Sequence, residues 1–155
     1  DYTLDPLLEE RGRGAALLTP TRICVKRLLR ALSCCGESGS PVIRGMAHIT
    51  GGGLNGNIPR VLPEHLCAVL DAQLWPLPPV FGWLAQEGDL GATDMARTFN
   101  CGIGMVVICA ADGVDQVKQI LAGEGETAYQ IGRIESRQGD SAVRIRNMDR
   151  AWRKN

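Results

Sequence analysis

The stretch His48-Ile49-Thr50-Gly51-Gly52-Gly53-Leu54, followed by Asn57-Ile58-Pro59-Arg60, decides how this chain is read. Three successive glycines remove every Cβ from a turn, so the backbone there is free to take positive φ and to approach a ligand closely. Ahead of them, Val42 to Ile49 reads as a buried strand. Behind them, Gly53 to Arg60 reads as a short helix interrupted by Pro59. A strand–glycine–helix junction can aim free backbone N–H groups and the positive end of a helix dipole at an anion, typically a phosphate. Arg60 can add a two-pronged guanidinium to the same oxygens. A plain tight turn between strand and helix uses glycine equally well, so the cluster alone leaves both readings open.

Outward from this junction the chain alternates strands and helices. Apolar residues at Ile23, Val25, Leu28, Leu29 and Leu32 give Thr21 to Leu32 helical spacing after Pro20, and Ser33 to Pro41 is a loop. Leu66 to Leu70 is a run of strand length. After Pro76, Pro78 and Pro79 a helix runs from about Val80 to Gln86 and ends at Gly88, and Thr93 is placed to cap another that reaches Thr98. Ile103 to Ala110 is unbroken apolar sequence and reads as a central strand. Val114, Val117, Ile120 and Leu121 mark a helix that stops at Gly123. Ala128 to Glu135 and Ala142 to Arg146 read as two strands joined by a hairpin turn at Gln138-Gly139-Asp140. Past Asn147 the pattern dissolves into charged residues. The expected architecture is mixed α/β in layers.

Composition narrows the function. The chain has 155 residues, enough for one domain with a core of its own. Lys+Arg and Asp+Glu number 17 each, so there is no basic excess to bind nucleic acid. No apolar run approaches the roughly 18 residues that a membrane-spanning helix needs. Six cysteines, Cys24, Cys34, Cys35, Cys67, Cys101 and Cys109, form no C-x-x-C pair, so no metal site is expected from them. They read as free and largely buried thiols, which suits a reducing cytosol and a cytoplasmic location.

A second island, Asp94-Met95-Ala96-Arg97-Thr98-Phe99-Asn100-Cys101-Gly102-Ile103-Gly104-Met105, passes from a helical stretch through two spaced glycines into the apolar strand. Together with Pro20-Thr21-Arg22-Ile23 and Val61-Leu62-Pro63, the two islands resemble the C-terminal half of aminoimidazole ribonucleotide synthetase. That enzyme is the phosphoribosylformylglycinamidine cyclo-ligase of purine synthesis. The resemblance runs from about Leu17 to about Ile134 with every block in order, and its style is similar to the trifunctional purine enzyme of animals.

The resemblance implies helices layered on a mixed β-sheet, α+β in type, with partial ferredoxin-like topology. It divides the chain into a lead-in at 1–16, the synthetase domain at 17–147 and a tail or linker at 148–155. It also implies an ATP- and Mg²⁺-dependent reaction that turns formylglycinamidine ribonucleotide into aminoimidazole ribonucleotide. The nucleotide and metal ligands would sit mostly on an N-terminal domain, through which the complete enzyme is a homodimer. On this reading the chain is an excised domain or truncated product, inactive without its partner domain. The alternative is a non-catalytic module that binds phosphate or nucleotide.

Candidate site residues follow from the two islands. By the resemblance, His48 contacts substrate or a phosphorylated intermediate and is the catalytic candidate; on spacing alone it is a hydrogen-bonded histidine near a strand end. Gly51, Gly52 and Gly53 cradle a phosphate. Thr50 donates its hydroxyl to the same anion or closes the turn locally. Asn57 contacts ligand or caps a backbone group, and Arg60 binds phosphate or holds the missing domain. Asn100 shapes a turn at the site. His65 and Asp94 read as solvated, Phe99 and Trp75 as packing, and Cys101 as a thiol with no base beside it. Cys24 stands where relatives commonly carry tyrosine.

Overall fold

The computed structural model describes residues 24–34 and 42–152. The expected helix start at Thr21, the lead-in, Cys35 with the rest of its loop, and residues 153–155 lie outside the described residues. Strand β1 (Ile43–His48) pairs antiparallel with the strand Met105–Cys109, with His48 opposite Met105 and an irregularity between Ile43 and Gly45. This pairing joins the strand that enters the glycine cluster to the strand that leaves the second island.

In chain order the remaining elements are α1 (Val25–Cys34), α2 (Gly53–Asn57), β2 (Leu66–Asp71), α3 (Pro79–Glu87), α4 (Ala92–Thr98), β3 (Met105–Cys109), α5 (Val114–Gly123), β4 (Gly132–Ser136), β5 (Val143–Arg146) and α6 (Met148–Ala151). A 3₁₀ turn, Ile58–Val61, continues α2, with Pro59 in its first turn as its missing N–H allows. Gly88 ends α3.

β3 is apolar throughout because both of its faces are covered. Val106 and Ile108 face a core shared with Ile49, Leu54, Ile58, Met95 and Trp75. Met105, Val107 and Cys109 face a second core, where Leu28 and Ala31 of α1 meet Val117 and Leu121 of α5. A strand buried on both sides has no solvent face on which to alternate polar residues. Ion pairs Arg27–Glu126 and Arg30–Glu124, the latter at 2.8 Å, tie α1 to the segment after α5.

Four expectations are corrected. Among the described residues the strands lie in the sheet β1-β3 and in a mixed sheet in the order β4-β2-β5, so β3 has one neighbour there and is not the central strand expected. β4 and β5 do not form a hairpin. β2 lies between them, antiparallel to β4 and parallel to β5, because its buried run Cys67–Leu70 takes both neighbours. Helix α4 begins at Ala92 after Gly91, without a side-chain cap, and Thr93 sits exposed inside its first turn. Finally, the chain does not become an exposed tail at 148. Met148–Ala151 is helical, and Trp152 is 6% exposed, packed on Trp75. Among the described residues no helix is long and apolar enough to cross a membrane.

Candidate functional site

The three glycines do different work. Gly51 is exposed, and a Cβ added to it would meet nothing within 4 Å. Gly52 is exposed and left-handed, at φ 94° and ψ −4°. Gly53 is buried at φ 59°, and a Cβ there would lie 2.2 Å from the Ala96 carbonyl oxygen and 2.8 Å from that of Phe99. Glycine at this position lets α2 start against the end of α4. The cradle expected from Gly51, Gly52 and Gly53 is therefore open only over the first two, with the exposed Thr50 beside them.

Asn57 lies under this loop, 3% exposed. Its Nδ2 donates to the carbonyl oxygens of Gly53 at 2.8 Å, Thr50 at 3.2 Å and Gly51 at 3.3 Å. Three acceptors around one end of the amide identify that end as the NH₂ group, which shares two hydrogens among them. The Asn57 side chain is turned into the protein and holds the backbone of the loop. Backbone bonds from Gly53 N to Thr50 O (3.0 Å) and from Gly56 N to Gly52 O (2.8 Å) complete the turn.

The second island packs directly on the first. Ile49 N donates to Gly104 O at 2.9 Å, beside the Gly53–α4 contact. Asn100 lies in the connecting turn: its Oδ1 accepts from Gly102 N at 3.0 Å, and its carbonyl accepts from Ile103 N at 2.9 Å. The turn needs left-handed backbone at Cys101 (φ 49°) and Gly102 (φ 91°). Trp75 Nε1 donates to the Cys101 carbonyl at 2.9 Å and holds it there. This role of Trp75 is invisible in the sequence, where an indole after a run of strand residues reads only as packing. Phe99 stacks obliquely on Phe81, with ring centroids 5.9 Å apart.

His48, exposed at the end of β1, and Asn100 both line a groove of about 790 Å³. The groove runs past Gly104 and along β3, and is closed on the other side by residues 126–134. Consecutive residues of β3 line it, so it follows the edge of β3 away from β1 rather than one face of the strand. Thr50, Gly51 and Gly52 lie outside the groove lining, as does Arg60, which is exposed in the 3₁₀ turn. The structure thus brings His48 and Asn100 to one groove and leaves the open glycines on a separate stretch of surface. The wall formed by 126–134 carries no motif, so nothing in the sequence could have named it.

Cys101 is fully buried, and burial pushes its thiol up to about 12, far from the range of a nucleophile. Its Sγ lies 3.5 Å from the Met95 carbonyl oxygen. Cys24, Cys67 and Cys101 are free thiols. Cys24 is half-buried in the groove wall, where its short side chain offers little polar reach. Among the described residues no three His, Cys, Asp or Glu side chains converge to hold a metal ion.

The model of the AIR synthase related protein family, C-terminal domain, matches residues 3–145. The chain belongs to this family. It is 51% identical over 125 residues to the phosphoribosylformylglycinamidine cyclo-ligase of Neisseria meningitidis serogroup C, and 50% identical over 125 residues to that of Neisseria gonorrhoeae. Each match covers 81% of this chain and 35% of the relative, so the AIR synthase related domain spans about a third of the length of these curated relatives. Both islands of this AIR synthase related domain, Thr50–Asn57 and Asn100–Gly104, are packed into one unit around the Ile49–Gly104 bond. The mixed α/β architecture agrees with the family assignment.

Proposed function

We propose that the chain is the C-terminal half of an ATP-dependent cyclo-ligase that closes the imidazole ring of aminoimidazole ribonucleotide, using formylglycinamidine ribonucleotide as substrate. The observation that carries this reading is identity at half of the positions to named cyclo-ligases over 81% of the chain. In such a reaction the formyl amide oxygen attacks the γ-phosphorus of ATP, and ADP leaves. The resulting iminophosphate carbon is attacked by the substrate's amidine nitrogen, and the C–O bond breaks with release of phosphate. Catalysis then rests on positioning and on stabilising the charge of phosphoryl oxygens.

The residues here suit part of that task. The exposed loop Thr50–Gly52 offers main-chain amides to phosphoryl oxygens, whether of the ribose 5′-phosphate or of the transferred group. Arg60 supplies a cation either to the same anion or to the partner domain. His48 contacts substrate from the groove, and Asn100 shapes the turn beside it. Mg²⁺ would supply charge neutralisation of the nucleotide. The described residues offer no carboxylate cluster for it, so its protein ligands belong to the N-terminal domain. The chain works with that domain, in a cytoplasmic homodimer, and alone it does not turn over.

The test is reconstitution. This chain, mixed with the N-terminal domain of a cyclo-ligase, is expected to form aminoimidazole ribonucleotide in an ATP-dependent manner, while neither half does so alone. Two folded halves that bind each other and yield no product would overturn the catalytic reading and leave a phosphate-binding module.

A further inference from the structure

The orientation of the glycine loop is set from below. A trans peptide carries its C=O and N–H on opposite sides, and the described chain contains no cis bond. The carbonyls of Thr50 and Gly51 point inward to Asn57 Nδ2. The N–H groups in those same two peptide planes belong to Gly51 and Gly52, and they must point outward. Both residues are exposed, and among the described residues neither amide donates to a protein acceptor. Two successive outward amides, with Gly52 left-handed, are free to donate together to one anionic oxygen.

Few side chains can set this up. The group beneath the loop must donate to several carbonyls from a buried position and carry no charge. A carboxylate would repel the carbonyls, an ammonium would bury an uncompensated charge, and an aliphatic side chain would leave the carbonyls without a donor. Asparagine meets all three conditions. We propose that Asn57 is a positioning residue: its side chain never meets the ligand, but it aims the amides of Gly51 and Gly52 at a phosphoryl group. This rests on the phosphate reading given above.

The experiment titrates inorganic phosphate into the 155-residue chain and into its Asn57→Asp and Asn57→Ala variants, following the backbone amide signals of Gly51 and Gly52 by NMR. In the unchanged chain both signals are expected to shift saturably. In Asn57→Asp the apparent Kd is expected to rise at least tenfold while the signals of β2 and β4 stay in place. Asn57→Ala, which introduces no repulsion, gives the same comparison if the aspartate variant does not fold. Variants that bind phosphate as the unchanged chain does overturn the proposal. If the unchanged chain shows no shift, the phosphate reading fails, and the role of Asn57 is read from the ligand-free protein. There, Asn57→Ala must lower the ¹H–¹⁵N NOE of Gly51 and Gly52 and leave that of the sheets unaltered. An unaltered NOE at the two glycines sinks the positioning role as well.

Discussion

The indole of Trp152 meets that of Trp75 edge-on, with ring centroids 5.8 Å apart and planes at 69°. Trp75 in turn holds the Cys101 carbonyl, so the end of the described chain braces the turn of the second island from behind. Trp152→Ala is expected to lower stability by about 3–5 kcal/mol, the usual cost of emptying a large buried aromatic site. Trp152 Nε1 is buried without an acceptor among the described residues. Trp152→Phe discards the unsatisfied donor and keeps an aromatic ring in the site, so it is expected to cost clearly less than Trp152→Ala. Chemical denaturation of the two variants checks the difference, and equal losses would refute it.

Gly51 and Gly53 predict opposite behaviour for one chemical change. Gly53→Ala forces a methyl group against the Ala96 and Phe99 carbonyls at positive φ, and is expected to cost at least about 3 kcal/mol. Gly51→Ala meets open space and is expected to change stability by less than about 0.5 kcal/mol. Thermal unfolding of the pair decides it, and comparable destabilisation would show that the loop is packed differently.

The buried thiols give a labelling pattern. Cys67 and Cys101 are each 1% exposed or less, whereas Cys24 and Cys109 are half-buried. Iodoacetamide at pH 8 is expected to modify Cys24 and Cys109 well before Cys67 and Cys101, as read by peptide mass mapping. Burial raises the Cys101 thiol from 9.0 to about 12. Its contribution to stability is therefore complete below pH 9 and declines as the pH rises from 9 towards 12, because only the unfolded chain ionises there. The decline is expected to approach about 1.4 kcal/mol per pH unit relative to Cys101→Ser. A flat difference between the two proteins would contradict the assignment.

Asp71, at the end of β2, accepts from Asn147 Nδ2 at 3.0 Å and from Gln73 N at 3.0 Å. These bonds, with Arg146 nearby, hold its carboxyl below 3.8, the Asn147 bond contributing most. The stabilisation is present above about pH 4 and is lost as the pH falls through the lowered native value. Asn147→Gly removes the donor and accommodates the positive φ of 60° at that position. The melting-temperature gap between the two proteins is expected to close on acidification from pH 5 to pH 2. A gap independent of pH would exclude this link.

The strands β2 and β3 were legible because each is an apolar run bounded by glycine, proline or polar residues, and β1 because it leads into the glycine cluster. The break of α2 at Pro59 and the stop of α3 at Gly88 were legible for the same local reason. Pairing was not. Residues 132–136 and 143–146 have the same pattern whether they bond each other or flank β2, since backbone hydrogen bonds leave no mark on side-chain choice. Trp152 went unread because one buried indole among charged residues has no period. In the site, Thr50–Gly52, His48 and Asn100 stood out by residue type, but an asparagine amide looks alike whether it faces a ligand or three carbonyls. Only coordinates separate those cases for Asn57.

The position of β2 between β4 and β5 has a consequence for how the molecule is made. Its neighbours, Gly132–Ser136 and Val143–Arg146, are both synthesised long after Leu66–Asp71 leaves the ribosome, so the nascent strand waits with both borders bare. Such late, distant closure slows folding and lengthens exposure to misassociation. A ribosome stalled before residue 143 would therefore hold a chain that keeps both glycine motifs but cannot finish its mixed sheet.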